Sequence, residues 1–151
     1  MRSRVTVAAL LALLLTAGTV ARPALADALL DGLKALPGTV EDVRVGGTWE
    51  RGGKSGIYRI IVSRSGGDPI TARLFVQWVA YDDSGGADVT DTIEIKEFAD
   101  LKVDVQDFTS DSDSNSLTVD IQTLDPNSSN NQTYELVVTS PTQYKFGAAQ
   151  N

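Results

Sequence analysis

The chain has 151 residues, with 20 acidic and 13 basic side chains, a net charge of −7 at pH 7, and neither cysteine nor histidine. This composition excludes disulfide cross-links, thiol chemistry and histidine-based acid–base or metal chemistry within the chain. An acidic body repels phosphate backbones and anionic lipid headgroups, so we expect no nucleic acid partner and no membrane-surface partner.

Residues 1–26 predict a cleaved secretory signal peptide. A basic start from Met1 to Arg4 precedes an apolar run from Val5 to Val20, and Ala24-Leu25-Ala26 supplies small residues at the third and first positions before the cleavage point. A retained anchor is the alternative, but the run is short for a bilayer span. We therefore expect a periplasmic or extracellular protein that has no stable membrane insertion after cleavage.

The mature chain is more acidic than the whole precursor. Three of the 13 basic residues lie in the leader, namely Arg2, Arg4 and Arg22, and the leader holds no acidic residue, so about −10 charges remain. Without disulfides, the exported domain depends on hydrophobic packing alone, which is feasible at this length.

Residues 27–38 predict a short helix or a flexible leader segment. Leu29, Leu33 and Leu36 recur at helical spacing, and Pro37-Gly38 ends the pattern.

From residue 39 onward the apolar period changes to two, which predicts β-strands in a single domain over residues 39–151. Val43 and Val45 begin the first strand, and Gly46-Gly47 is expected to interrupt it. Six further alternating runs follow, separated by turn-forming residues: Ile57 to Arg64, Ile70 to Tyr81, Val89 to Ile95, Leu101 to Val105, Leu117 to Ile121 and Tyr134 to Val138.

The fold class that these runs indicate is all-β. Seven to eight short strands with turn signals at intervals of roughly ten residues are typical of sandwiches and barrels. The alternation of apolar and polar residues favours antiparallel pairing with one solvated face per sheet. We predict an immunoglobulin-like antiparallel β-sandwich, with a small closed barrel as the alternative.

The main candidates for ligand contact are aromatic. Phe75, Trp78 and Tyr81 lie in one strand that is apolar on both faces in its second half, and Trp49 lies beside a glycine-rich turn. Such side chains stack on a sugar ring, anchor a protein partner, or fill the core. The sequence leaves these three possibilities open.

Asp111, Asp113 and Asn115 have the spacing of oxygen ligands at the start of a calcium loop. The remainder departs from that pattern, because Ser116 replaces the glycine at position six and Gln122 replaces the glutamate at position twelve. A solvated turn is the competing interpretation. We expect no cofactor, with calcium at these residues as the alternative.

An enzymatic alternative is a carboxylate-dependent polysaccharide hydrolase. It requires two carboxylates facing each other about 5 to 9.5 Å apart. The local candidates are Asp82, Asp83 and Asp91 together with Glu94 or Glu97. Acidic residues that alternate along strands also form the ordinary solvated face of a sheet.

The sequence therefore predicts a non-enzymatic, exported binding protein whose partner is a protein or a glycan at the cell envelope. One specific form is an assembly chaperone for an exported fibre subunit, since a signal peptide followed by about a hundred residues of short strands resembles the layout of the curli-system sandwich chaperones. The polysaccharide hydrolase and a structural subunit of a surface layer or fibre are the alternatives.

Overall fold

The structure is a computed structural model that describes residues 23–150, with side chains described from Ala28 onward. Residues 1–22 of the predicted signal peptide lie outside the described residues. The described residues fall into two units that meet between Leu36 and Pro37. In the first, helix α1 spans Pro23–Lys34, and the leucines at helical spacing are exposed: Leu29, Leu33 and Leu36. No helix within residues 23–150 combines the length and apolarity needed to cross a membrane.

The second unit contains two four-stranded antiparallel sheets. Sheet A is formed by β1, β2, β3 and β4, and sheet B by β5, β6, β7 and β8, each in chain order. The strands of sheet A are Val40–Arg51, Lys54–Ser65, Thr71–Tyr81 and Ala87–Glu94. Those of sheet B are Asp104–Ser112, Leu117–Leu124, Asn131–Ser140 and Gln143–Ala148.

The prediction of an all-β, two-sheet antiparallel architecture is confirmed. The immunoglobulin-like part of the prediction is not confirmed, because every hydrogen-bonded strand pair is consecutive in the chain. Immunoglobulin sandwiches instead contain Greek-key connections that place strands distant in the chain side by side. Alternation within each strand predicts which face is buried, but it carries no information about strand order.

The core lies between the two sheets and follows from the period-two pattern. In the central strands one face is apolar and packs against the facing sheet. Its buried side chains from sheet A include Tyr58, Ile60, Val62, Leu74, Val76 and Trp78, and those from sheet B include Leu117, Val119, Ile121, Leu136 and Val138.

β1 is one continuous strand, so the expected interruption at Gly46-Gly47 is wrong. The ladder with β2 passes the glycines through a register shift between Val45 and Gly47. A Cβ on Gly46 would lie 2.7 Å from Cδ1 of Ile60 and 3.2 Å from Cδ1 of Leu117. A residue without a side chain is needed here because the backbone approaches the core of both sheets.

Helix α2, Lys96–Leu101, connects the two sheets. The expected strand from Leu101 to Val105 is therefore corrected, since Leu101 ends a helix and β5 begins at Asp104. Phe98 is buried, and it precedes Leu101 by three residues, a spacing that puts the two on the same side of a helix. Most residues around Phe98 are good helix formers, which explains why a helix forms here. The Phe98 ring packs edge-on against Phe146 of β8 with centroids 6.0 Å apart, so α2 joins sheet A to sheet B.

Candidate binding surfaces

The four predicted aromatic residues are divided between two places in the fold. Trp49 and Trp78 lie at one end of the sandwich, where they face a small cavity and are only 4% and 2% exposed. Phe75 and Tyr81 lie on the outer face of sheet A, where Phe75 is half-buried and Tyr81 is 53% exposed. Strand β3 separates them because consecutive residues of a strand point to opposite faces.

The cavity at the end of the sandwich has a volume of about 310 Å³. The Tyr58 ring meets the Trp78 ring edge-on at 5.7 Å, and Trp49 Nε1 donates a hydrogen bond to the Ile57 carbonyl at 3.0 Å. Burial raises the pKa of Tyr58, so its hydroxyl stays neutral at physiological pH. The remaining lining residues form a polar rim: Glu50, Arg51, Ser114, Asn115, Ser116 and Thr139.

This cavity is small for a ligand site. Its volume lies at the lower end of the range of about 300 to 1,000 Å³ that ligand pockets occupy. Since Trp49 and Trp78 are almost fully buried, neither presents an open ring face on which a sugar could stack. The two tryptophans contribute mainly to the core.

The outer face of sheet A carries apolar side chains in two rows across the strands. The first row joins Val43, Ile61 and Phe75 on β1, β2 and β3. The second joins Ile57, Val79 and Val89 on β2, β3 and β4. The exposed apolar members of this face, which we call the sheet A face, are Val43, Val45, Tyr81 and Val89.

A polar row separates the two apolar rows. Arg59 donates two hydrogen bonds to Gln77 Oε1, from Nε at 2.8 Å and from Nη2 at 2.5 Å, and Gln77 Nε2 donates to Thr92 Oγ1 at 3.1 Å. The Arg73 guanidinium lies over the Phe75 ring at 5.1 Å. These contacts fix the orientation of the polar side chains. Since Val79 in the second row is only 5% exposed, the apolar side chains that a partner could reach lie at the ends of the rows, at Val43 and Val89.

The outer face of sheet B differs in character. Its positions are mainly hydroxyl, amide and charged residues, and Asp120 lies directly opposite Glu135. Other members are Thr109, Gln122, Thr133 and Lys145, all exposed. This is the ordinary solvated face of an antiparallel sheet, whereas the sheet A face is not.

The carboxylates considered for hydrolysis are mostly engaged within the domain. Asp91 lies 3.4 Å from Arg51 Nη2, and Glu94 pairs with Arg73 at 2.7 Å. Asp82 Oδ1 accepts hydrogen bonds from Ser84 and from the Gly86 amide, and these bonds lower the pKa of Asp82. Glu97 accepts a hydrogen bond of 2.6 Å from the Tyr144 hydroxyl, which lowers the pKa of Glu97. Asp83 is exposed in the turn beside Asp82.

At the calcium candidate, Asp113 Oδ1 accepts hydrogen bonds from the Asn115 and Ser116 amides, both at 2.7 Å. Asp111 lies on the outer face of β5 opposite Thr118, and its Oδ1 accepts from the Ser112 amide at 2.9 Å. By accepting these hydrogen bonds, the Asp113 carboxylate stabilises the β5–β6 turn. The same hydrogen bonds lower the pKa of Asp113. Among the described side chains, no group of three acidic, histidine or cysteine residues could hold a metal ion.

Two contributors to these surfaces were not selected from the sequence. Val43 and Val45 were expected only as strand residues, yet they point away from the core. The sequence signal was that Gly46 directly follows Val45. Because consecutive residues of a strand lie on opposite faces, Val45 is on the outer face once Gly46 is on the core side. Part of the rim of the end cavity, Ser114 to Ser116, is contributed by a turn of the other sheet, and although Asn115 was considered as a calcium ligand, a single-strand pattern does not reveal its place at this cavity.

Comparison with known proteins adds no relative: no family model, no curated protein and no solved structure matches this chain.

Proposed function

We propose that this protein is exported and works by binding a partner protein at the cell envelope through the sheet A face, without catalysing a reaction. The observation that carries the proposal is the difference between the two outer faces. Sheet A exposes Val43, Val45, Tyr81 and Val89 on one face, whereas the equivalent face of sheet B is polar. Exposed apolar side chains flanked by polar ones, as on this face, are common at protein interaction sites.

A protein partner is favoured over a glycan by the placement of the tryptophans. Recognition of sugars uses open aromatic faces, and both tryptophans are buried in the core, which leaves Tyr81 as the exposed member of the four predicted aromatic residues. The sheet A face offers aliphatic and aromatic side chains flanked by Arg59, Gln77 and Thr92, which suits a mixed apolar and polar protein surface.

The non-enzymatic part of the proposal is supported by the chemistry of the side chains. The chain has no histidine or cysteine. Three of the five candidate carboxylates, those of Asp82, Glu94 and Glu97, accept hydrogen bonds that lower their pKa, and Asp91 pairs with Arg51. A carboxylate that already accepts strong hydrogen bonds has a lowered pKa and is a poor general acid.

Two charge-matched double variants test the proposal. The first places lysine at Val45 and Tyr81, which are 63% and 53% exposed on sheet A. The second places lysine at Thr109 and Gln122, which are exposed on sheet B. We expect the wild type and the sheet B variant to recover the same protein from an envelope extract, and the sheet A variant to lose it because charged side chains are costly at an apolar interface.

Three outcomes would count against this function. They are equal recovery by all three proteins, recovery that resists protease but not glycosidase treatment of the extract, and hydrolysis of polysaccharide that an Asp91→Asn change abolishes. The second outcome would favour a glycan partner, and the third an enzyme.

The specific form of the proposal is an assembly chaperone for an exported fibre subunit. An apolar sheet face can cover the strands of a subunit before it polymerises. Co-incubation with an amyloid-forming envelope subunit should lengthen the lag time of fibre formation at equimolar protein, and the sheet A double variant should lengthen it less. An unchanged lag time would exclude this form while leaving other protein partners open.

A further inference from the structure

The edges of the two sheets are not equivalent. On one side of the sandwich β1 and β5 lie next to each other, where the Glu50 amide donates to the Ser114 carbonyl and the Thr48 amide donates to Ser112 Oγ, both at 3.0 Å. Arg44 bridges the same two strands through Asp107 at 2.8 Å. These two edges therefore protect each other.

The edge formed by β4 has no such protection among the described residues. β4 pairs with β3 on one side only, and within residues 23–150 no backbone hydrogen bond reaches its other side. Five of its eight residues are exposed. The strand lacks lysine and proline, which commonly keep an edge from pairing with another chain; its own edge devices are the charges of Asp88, Asp91 and Glu94 and a register shift against β3 between Trp78 and Val79. The other outer edge, β8, contains Lys145 and Gly147, and its Tyr144 is tied to α2.

The surroundings of β4 are strongly acidic. Residues 82–100 contain seven acidic residues and one basic residue. Arg51 and Arg73 neutralise Asp91 and Glu94, which leaves four negative charges in excess over this segment of the chain. An approaching cationic segment would be attracted by this region.

The same charges argue against a second copy of this chain as the occupant. Asp88 and Glu94 are equally spaced on either side of Asp91. Antiparallel pairing of two β4 strands about Asp91 would set Asp91 opposite its own copy and Asp88 opposite Glu94. Like charges directly opposite each other destabilise a strand pair.

The apolar residues of β4 indicate where the apolar side chains of a bound segment would lie. Val89 ends the outer apolar row that begins at Ile57, and it is 47% exposed. Ile93 packs against the core from the inner face but is only partly buried. Because alternate residues of a strand point to opposite faces, an added strand of alternating apolar and basic residues would bury Val89 if its apolar residues lay on the outer face.

We propose that the free edge of β4 binds an extended segment of alternating basic and apolar residues from the partner protein, which adds to sheet A as a further strand. This inference rests on the proposed function and names the chemistry of the partner. Main-chain hydrogen bonds to β4 supply affinity, and the alternate side chains supply specificity.

Three synthetic peptides of about the length of β4, eight residues, test the inference. The first alternates valine and lysine, the second alternates valine and glutamate, and the third is the valine–lysine peptide with an N-methyl group on every residue. The methylated peptide keeps charge and apolarity but loses backbone donors. We expect the first peptide alone to bind and to slow hydrogen exchange of amides in residues 87–94, with at least about tenfold weaker binding of the other two.

A pair of variants of the full chain checks the location. Asp88 is exposed and forms no ion pair with a described side chain, so Asp88→Lys should weaken binding of the valine–lysine peptide several-fold without affecting folding. Asp111→Lys makes the same charge change on sheet B and serves as the matched control. We expect it to leave binding nearly unchanged.

The inference is overturned if no peptide binds, if the methylated peptide binds as well as its parent, or if bound peptide protects amides outside β4. In each of these cases, continued loss of the envelope partner from the sheet A double variant would show that face binding stands without strand addition. If, in addition, the sheet A double variant still recovers the envelope partner, the proposed function is overturned as well.

Discussion

The guanidinium of Arg64 on β2 lies against the carboxylate of Asp104 on β5, with Nε and Oδ1 2.6 Å apart, and this pair ties sheet A to sheet B. Arg64 also contacts Glu41 at 3.1 Å and donates to the Val105 carbonyl. The two side chains of the pair are 22% and 23% exposed. Because water reaches them only partly, their hydrogen bonds contribute more than those of a fully exposed pair.

Replacement of Arg64 should therefore destabilise the domain measurably. We expect Arg64→Met to lower the free energy of unfolding by about 2 kcal/mol, since it leaves Asp104 and the Val105 carbonyl without a charged donor. Urea denaturation measures the change. Arg73→Met is the matched control, because Arg73 pairs with Glu94 within sheet A at an exposed site, and it should cost less than about 1 kcal/mol. Equal losses for the two variants would contradict a special role of the inter-sheet pair.

Close backbone approach at Gly56 gives a second prediction. A Cβ on Gly56 would lie 1.9 Å from the Val79 carbonyl oxygen, so Gly56→Ala should force β2 and β3 apart and cost roughly 2 kcal/mol or more. A Cβ on Gly147 in β8 would meet no neighbouring atom within 4 Å. Thermal unfolding measures both variants, and Gly147→Ala should be neutral or slightly stabilising. A tolerated Gly56→Ala would show that this strand pairing is wrong.

The facing carboxylates Asp120 and Glu135 on the outer face of sheet B should destabilise the domain. Both are exposed, and neither forms an ion pair with any described side chain. Glu135→Lys turns the repulsion into an attraction and should raise stability by about 0.5 kcal/mol, more at low salt than at high salt. Gln122→Lys, which faces Thr133, is the control and should change little. An unaltered melting temperature for Glu135→Lys at low salt would refute this pairing.

The dependence of stability on pH follows from the carboxylates. Hydrogen bonding from Arg44 lowers the pKa of Asp107, and that from Arg73 lowers the pKa of Glu94. The ordinary values are 3.8 for aspartate and 4.5 for glutamate. These carboxylates therefore bind protons at higher pH in the unfolded chain than in the folded chain. The stabilisation is fully present above the ordinary pKa values and is lost as the pH falls through the lowered pKa values of the folded chain.

Urea midpoints across pH measure this effect. We expect a plateau between about pH 6 and about pH 8, because the chain has no histidine to titrate there, and a decline at more acidic pH. Asp107→Asn and Glu94→Gln should each make the decline shallower. Stability that rises on acidification would mean that repulsion within the acidic chain outweighs these hydrogen bonds.

The sequence predicts the buried faces of this fold better than its connections. The alternation in Ile57 to Arg64 and in Leu117 to Ile121 identified core residues correctly, because the side-chain period of a strand is fixed by geometry. The order of strands in the sheets and helix α2 were not predicted. Strand order depends on contacts between distant segments, and a six-residue helix containing one buried phenylalanine gives too few periods to recognise.

The candidate surfaces were predictable only in part. The strand containing Phe75, Trp78 and Tyr81 was recognised as apolar on both faces, but the sequence alone does not say which face meets the other sheet. The period-two pattern of the neighbouring strand β2 shows which face is buried, but only when the strand register is known. That register places Tyr58 beside Trp78 and Ile61 beside Phe75. Exposure of the sheet A face is therefore a property of strand pairing.

Site-specific photo-crosslinking in the native envelope tests the central claim most directly. A photoreactive amino acid is placed at Tyr81 on the sheet A face and, in a separate protein, at Gln122 on the outer face of sheet B. We predict one discrete cross-linked protein from position 81 and none from position 122. No cross-link at position 81, or the same product from both positions, would contradict the assignment of the sheet A face as the binding surface.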